Sequence, residues 1–201
     1  MESARHEARP APFVWWRAAL LVPLVWWTVR LAGGWTAWCP LDLVNLAFHE
    51  AGHLVFSFGG TTLHILGGTL GQLLVPFGLG VSFLLVHGRP SGAAFCLWWT
   101  GESLVNVAVY MADARELALP LVGGGEHDWN ELLFRWGLLG EPAVARVAVT
   151  THLLGSLVML AGLVWCGAFA LGPQGRRELV SRVEAVAPRL APLFDDEQGA
   201  G

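Results

Sequence analysis

At 201 residues the chain has the length of one domain, but 54% of it is hydrophobic and only 14% is charged, where soluble domains carry about a quarter charged residues. All twelve basic residues are Arg, the formal net charge is -4 and the acids are scattered, so the basic footprint of a nucleic-acid-binding protein is absent. The composition predicts an all-α polytopic membrane protein, with eleven Trp residues, many near the ends of apolar runs where indole rings favour the lipid–water interface.

The N-terminal MESARHEARP is mixed in charge, and the apolar stretch after it is longer than the core of a signal peptide. Phe13 to Leu31 is therefore expected to be a retained first span, with Arg17 and Arg30 placed to snorkel and Pro23 to kink it. Leu41 to Phe58 is the second expected span. The segment that follows, Gly59 to Gly68 (GGTTLHILGG), sets β-branched residues between glycine pairs and reads as a short re-entrant β-like segment, whose edge can hold an extended peptide. Leu66 to Val86 is the third span, with Gly67 and Gly71 at the GxxxG spacing that permits close helix contact. Ala93 to Ala112 and Val147 to Leu171 complete a count of about five transmembrane helices, each near the roughly 20 residues that a bilayer requires.

The polar segment Asp113 to Arg146 contains Leu132, Leu133, Trp136 and Leu139, a pattern suited to a short interfacial helix. Residues 173–201 read as a polar tail behind a membrane-embedded domain of residues 1–172. Cys39, Cys96 and Cys166 have neither framework nor metal-site spacing and read as isolated thiols. Five spans would divide the Arg residues six and six between the two sides, so the positive-inside rule assigns no orientation.

The second span carries the chemistry. In NLAFHEAGHLVFSFGG, His49 and His53 lie four residues apart, which on a helix puts both imidazoles on one face, and Glu50 points beside them. This is the HExxH pattern: the two His bind zinc, and the Glu is the general base that takes a proton from water whose pKa the ion has lowered. Zinc needs a third protein ligand. In the fourth span Glu102, Asn106, Tyr110 and Asp113 form one polar stripe, expensive if it faces lipid and reasonable if it faces the His pair. Asp113 is the first candidate for third ligand, with Glu102, Asn106 and Tyr110 orienting a ligand or holding substrate. The loop GGGEHDWN offers His127 or Asp128 instead, although Asp128 with Glu131 three residues on also reads as an N-cap with its capping box.

FHEAGH in an apolar helix, followed by a Gly-bounded segment and a later helix with an Asn and an Asp, resembles the site-2-protease (M50) class of membrane-embedded zinc metallopeptidases. The resemblance implies His49 and His53 as zinc ligands, Glu50 as the water-activating base, and Asp113 with Asn106 as the later-span pair. It also implies a substrate that is a membrane protein or membrane-delivered peptide, cut within or beside the lipid bilayer. The expected location is a bacterial cell membrane, crossed several times. Two other readings compete: a catalytically silent metal-binding scaffold, and an ion or proton transporter whose intramembrane His and acids carry its cargo.

Overall fold

The computed structural model describes residues 15–35, 38–121 and 126–170, with residues 181, 184, 185 and 188 of the tail. The first two residues of the expected first span, the glycines of the GGGEHDWN loop and nearly all of the expected polar tail lie outside the described residues. Among the described residues six α-helices follow one another: α1 (Trp15–Ala32), α2 (Leu41–Val55), α3 (Gly60–Leu85), α4 (Pro90–Ala112), α5 (Asp128–Arg135) and α6 (Glu141–Ala170), with a 3-10 turn, Ser57–Gly59, between α2 and α3.

Local chemistry sets several of the boundaries. The Asp42 carboxylate accepts the Cys39 N–H at 2.7 Å and places a negative charge in the first turn of α2, where the helix dipole favours it. The 3-10 turn ends at Gly60 with φ 79°, a backbone state in which a side chain would be strained. Pro90 opens α4 at its first turn, the helical position where a missing N–H matters least.

Two helix pairs touch backbone to backbone. A Cβ on Gly52 of α2 would run into the Gly67 carbonyl of α3, and one on Gly71 would run into the Phe48 carbonyl, so the Gly67–Gly71 pair makes a close helix contact. Gly101 of α4 sits in the same way against Gly155 and Met159 of α6, and α4 against α6 is the most extensive contact in the bundle. One apolar cluster joins Val107 and Met111 of α4 to Trp129, Leu132 and Leu133 of α5 and Val144 of α6. A second joins Leu31, Trp98, Trp99, Val105 and Met159. From it the Trp98 indole donates to Thr28 and the Trp99 indole to Asn45, each at 2.8 Å, which ties α1 and α2 to α4.

This architecture corrects the expected one in two respects. Among the described residues only two helices are long and apolar enough to cross a membrane, Ser57–Leu85 and Glu141–Ala170, instead of about five. The second expected span fails on length, because α2 has 15 residues and so runs about 22 Å against a hydrocarbon core of about 30 Å. The apolar part of α1 is likewise short, Ala18–Ala32. α4 is long enough at 23 residues, but paired Trp residues with Thr100, Glu102, Ser103 and Asn106 dilute its apolar character, and most of them face protein. The second correction concerns Gly59 to Gly68: the β-like segment is absent, and no strand occurs among the described residues. Thr61, Thr62 and Ile65 lie inside α3, because a β-branched residue costs a helix only tenths of a kcal/mol, less than the packing of that helix on α2 returns. With no strand edge there, a substrate cannot be held by strand addition at this segment.

Candidate metal centre

The four-residue spacing on α2 brings the His49 and His53 rings to 4.8 Å between centroids. Their outer nitrogens are both engaged: His49 Nδ1 lies 2.9 Å from Gln72 Oε1, and His53 Nδ1 lies 2.9 Å from the His64 carbonyl. The Gln72 amide has a fixed orientation, since its Nε2 donates to the Ser103 carbonyl and to Asn106 Oδ1. Asn106 is oriented in turn by donating from Nδ2 to Asp42 Oδ1 at 2.8 Å. A directed relay therefore runs from Asp42 through Asn106 and Gln72 to His49, and it ends on an acceptor. Both imidazoles face acceptors at Nδ1, so both carry their proton there and leave Nε2 with a free lone pair.

Those two Nε2 atoms point at the same oxygen. Asp128 Oδ2 lies 2.8 Å from His49 Nε2 and 3.2 Å from His53 Nε2, and the ligand atoms of the three residues all fall within 4.8 Å of one another. Atoms bound to one tetrahedral ion at about 2.0–2.2 Å stand about 3.3 Å apart, so the group can hold a metal ion. Three lone-pair donors aimed at one point repel unless a cation sits among them. The space is kept clear by Gly68 of α3, where a Cβ would come within 2.5 Å of His49 Nε2 and 2.6 Å of His53 Nε2. A donor set of two imidazoles and a carboxylate suits zinc among other divalent ions.

A proton is the alternative cation. Burial works against a charged His49, but the hydrogen bond and charge of Asp128 outweigh it and hold the pKa above the usual imidazole value. The stabilisation this lends the metal-free protein is complete below the ordinary imidazole pKa and fades as pH rises through the raised one. Proton and metal thus compete for the same lone pair, and metal affinity rises with pH.

Asp128 reaches the pair because another residue caps its helix. His127 is the N-cap of α5, its Nδ1 accepting the Asn130 N–H at 3.2 Å, which releases the Asp128 carboxylate from the capping role that its spacing to Glu131 suggests. Burial depresses the His127 pKa against the pull of Asp113, which suits an imidazole that must accept at Nδ1. Of the apolar residues of this helix, Trp129, Leu132 and Leu133 are buried in the core, while Phe134 is exposed.

The other sequence candidates take different places. Asp113 lies apart from the His pair: its two oxygens accept the Ala118 and Leu119 N–H groups, each at 3.0 Å, and it stands 3.4 Å from His127 Nε2. His127 faces Asp113 and is outside the convergent group. Glu102 is 1% exposed and accepts from Asn45 at 2.9 Å, while its other oxygen is buried without a hydrogen-bond partner, and burial pushes its carboxyl up to about 9. Asn106 serves the relay to His49. Tyr110 accepts the Asp128 N–H at its hydroxyl, 3.1 Å away. Glu50 is exposed on α2 and lines a cavity of about 1170 Å³ together with His49, His53, Asp128, Asn106 and Tyr110.

Gln72 and Asp42 carry no expected role in the sequence, and Gly68 only that of closing the β-like segment. A glutamine within a long apolar helix was a readable signal, because a buried polar group there needs a partner. Gly68 left none, being one of 25 glycines. Replacing Gln72 with Leu frees the His49 ring to turn and change tautomer, and is expected to weaken metal binding by about 10- to 100-fold, as read by competitive titration with a chromophoric chelator. Unchanged affinity would show that the relay does not orient His49.

No family model, curated protein or solved structure matches the chain.

Proposed function

We propose that this chain is an integral membrane zinc peptidase, a small and divergent relative of the site-2 proteases, which hydrolyses peptide bonds in a membrane protein or membrane-delivered peptide. The observation that carries the reading is the convergence of two bare Nε2 atoms and one carboxylate oxygen on the wall of a large cavity that also receives Glu50. A site open to a cavity keeps a position for water or substrate, which separates a catalytic centre from a closed structural one.

The chemistry that zinc would supply there is a lowered pKa for a water and polarisation of a carbonyl. The chain supplies the rest. His49, His53 and Asp128 would hold the ion, and the Gln72 relay and the His64 carbonyl fix the imidazoles. Glu50 takes a proton from water in the cavity and delivers it to the departing amine. Leu43, Leu46, Leu119 and Leu121 line the approach and suit an apolar peptide. The helices α3 and α6 supply the membrane anchorage, and their exposed Leu74, Phe77, Leu153, Leu157 and Val164 meet lipid tails without loss.

The test uses the full chain purified in detergent. Stoichiometric zinc by elemental analysis is expected, together with cleavage of fluorescein-labelled casein that 1,10-phenanthroline stops and added zinc restores. Protein that retains no zinc, or cleavage indifferent to the chelator, would end the reading.

A further inference from the structure

The cavity wall holds one hydroxyl bound to a ligand residue whose own proton is unspent. Tyr110 accepts the Asp128 N–H at 3.1 Å, which fixes the phenol oxygen beside the residue whose carboxylate meets both imidazoles. Its ring is clamped between His127, at 4.1 Å, and His49, at 6.0 Å in an edge arrangement, so the hydroxyl has little freedom to swing away. No acceptor among the described residues takes its proton, and the side chain faces the same cavity as Glu50. The other polar groups of the α4 stripe are committed elsewhere, Asn106 to Asp42 and Gln72 and Glu102 to Asn45.

We infer that Tyr110 is a catalytic residue whose O–H donates to the scissile carbonyl oxygen as negative charge develops on it. The inference rests on the hydrolase reading above. The proton stays on the phenol throughout, because a phenol with an ordinary pKa near 10 is a donor at neutral pH. A donor held in place before the reaction and aimed where charge appears stabilises the transition state more than the ground state. The phenol oxygen accepts the Asp128 N–H, which polarises the O–H toward donation, and the side chain lines the cavity from which that O–H is reached.

The experiment compares wild type with Tyr110→Phe, full chain in detergent, by two readouts. In the first, cobalt(II) replaces zinc and acetohydroxamate is titrated against the visible cobalt spectrum. The variant is expected to bind cobalt as wild type does and to bind acetohydroxamate about tenfold more weakly, one lost hydrogen bond. In the second, casein cleavage is expected to lose about 100-fold in kcat with KM little changed. Equal acetohydroxamate affinity and equal kcat would overturn the role of Tyr110 and leave the hydrolase reading standing. Cobalt affinity that falls in step with activity would also overturn it, since Tyr110 would then only anchor Asp128. A wild type that loads cobalt and cleaves nothing would overturn the hydrolase reading and this inference with it.

Discussion

Asp128→Ala is expected to abolish stoichiometric metal binding, and Asp113→Ala to retain it. Structural zinc sites bind with about 10–16 kcal/mol at neutral pH, so one of three or four ligands carries on the order of 3 kcal/mol, or more than 100-fold in affinity. The loss at Asp128 also leaves two Nε2 lone pairs facing each other across the space beside Gly68. Asp113 has a different task. Its carboxylate closes the turn after α4 by accepting the Ala118 and Leu119 N–H groups, and removing it hands both exposed donors to water at a cost of about 1 kcal/mol of stability for each bond. Elemental analysis and thermal melts on the two variants separate the roles: one loses metal, the other melts earlier and keeps it. Metal retained in Asp128→Ala and lost in Asp113→Ala would show that the loop and the end of α4 rearrange around the ion.

Glu50→Gln should cost at least 100-fold in turnover, and as much as 10⁴-fold, the range attributable to a positioned general base, with zinc content unchanged. Glu50 lines the cavity without belonging to the convergent group, so the amide fills the same space but cannot receive a proton. His49→Ala provides the contrast, losing metal and activity together. A Glu50→Gln protein that cleaves casein at the wild-type rate would remove the base from the mechanism.

Helix content was legible in the chain because the apolar runs are long and continuous. The depth of each run was less so, since an apolar helix that packs on protein and one that faces lipid have similar compositions. α2 shows why: its apolar run ends where the backbone breaks into a 3-10 turn at Ser57–Gly59, and glycines that suggest a hairpin instead allow α3 to lie against α2. The HExxH pair could be read from spacing alone, as local periodicity decides which residues share a face. The third member of the group depends on a contact between residues 79 positions apart, Asp128 and His49, and no periodicity reports that. Asp128 was also disguised by its neighbour, because His127 rather than Asp128 performs the capping that the spacing to Glu131 advertises.

The backbone contact of Gly52 with Gly67 and Gly71 has a mechanical consequence. Both imidazoles ride on α2, while both groups that orient them, Gln72 and the His64 carbonyl, ride on α3. The joint is backbone against backbone, with the Phe56 side chain beside Gly67, so α2 and α3 hold a close register and the imidazoles keep their bearing on the groups that orient them. Asp128 is tied to α3 as well as to α4 and α6: its neighbour Trp129 donates to Thr69 of α3 at 3.2 Å, and Ile65 and Leu66 of α3 pack against the cluster that holds Trp129, Leu132 and Leu133. In a bilayer thicker or thinner than α3 matches, which a helix accommodates by tilting, the imidazoles, the groups that orient them and the anchor of Asp128 are therefore carried together.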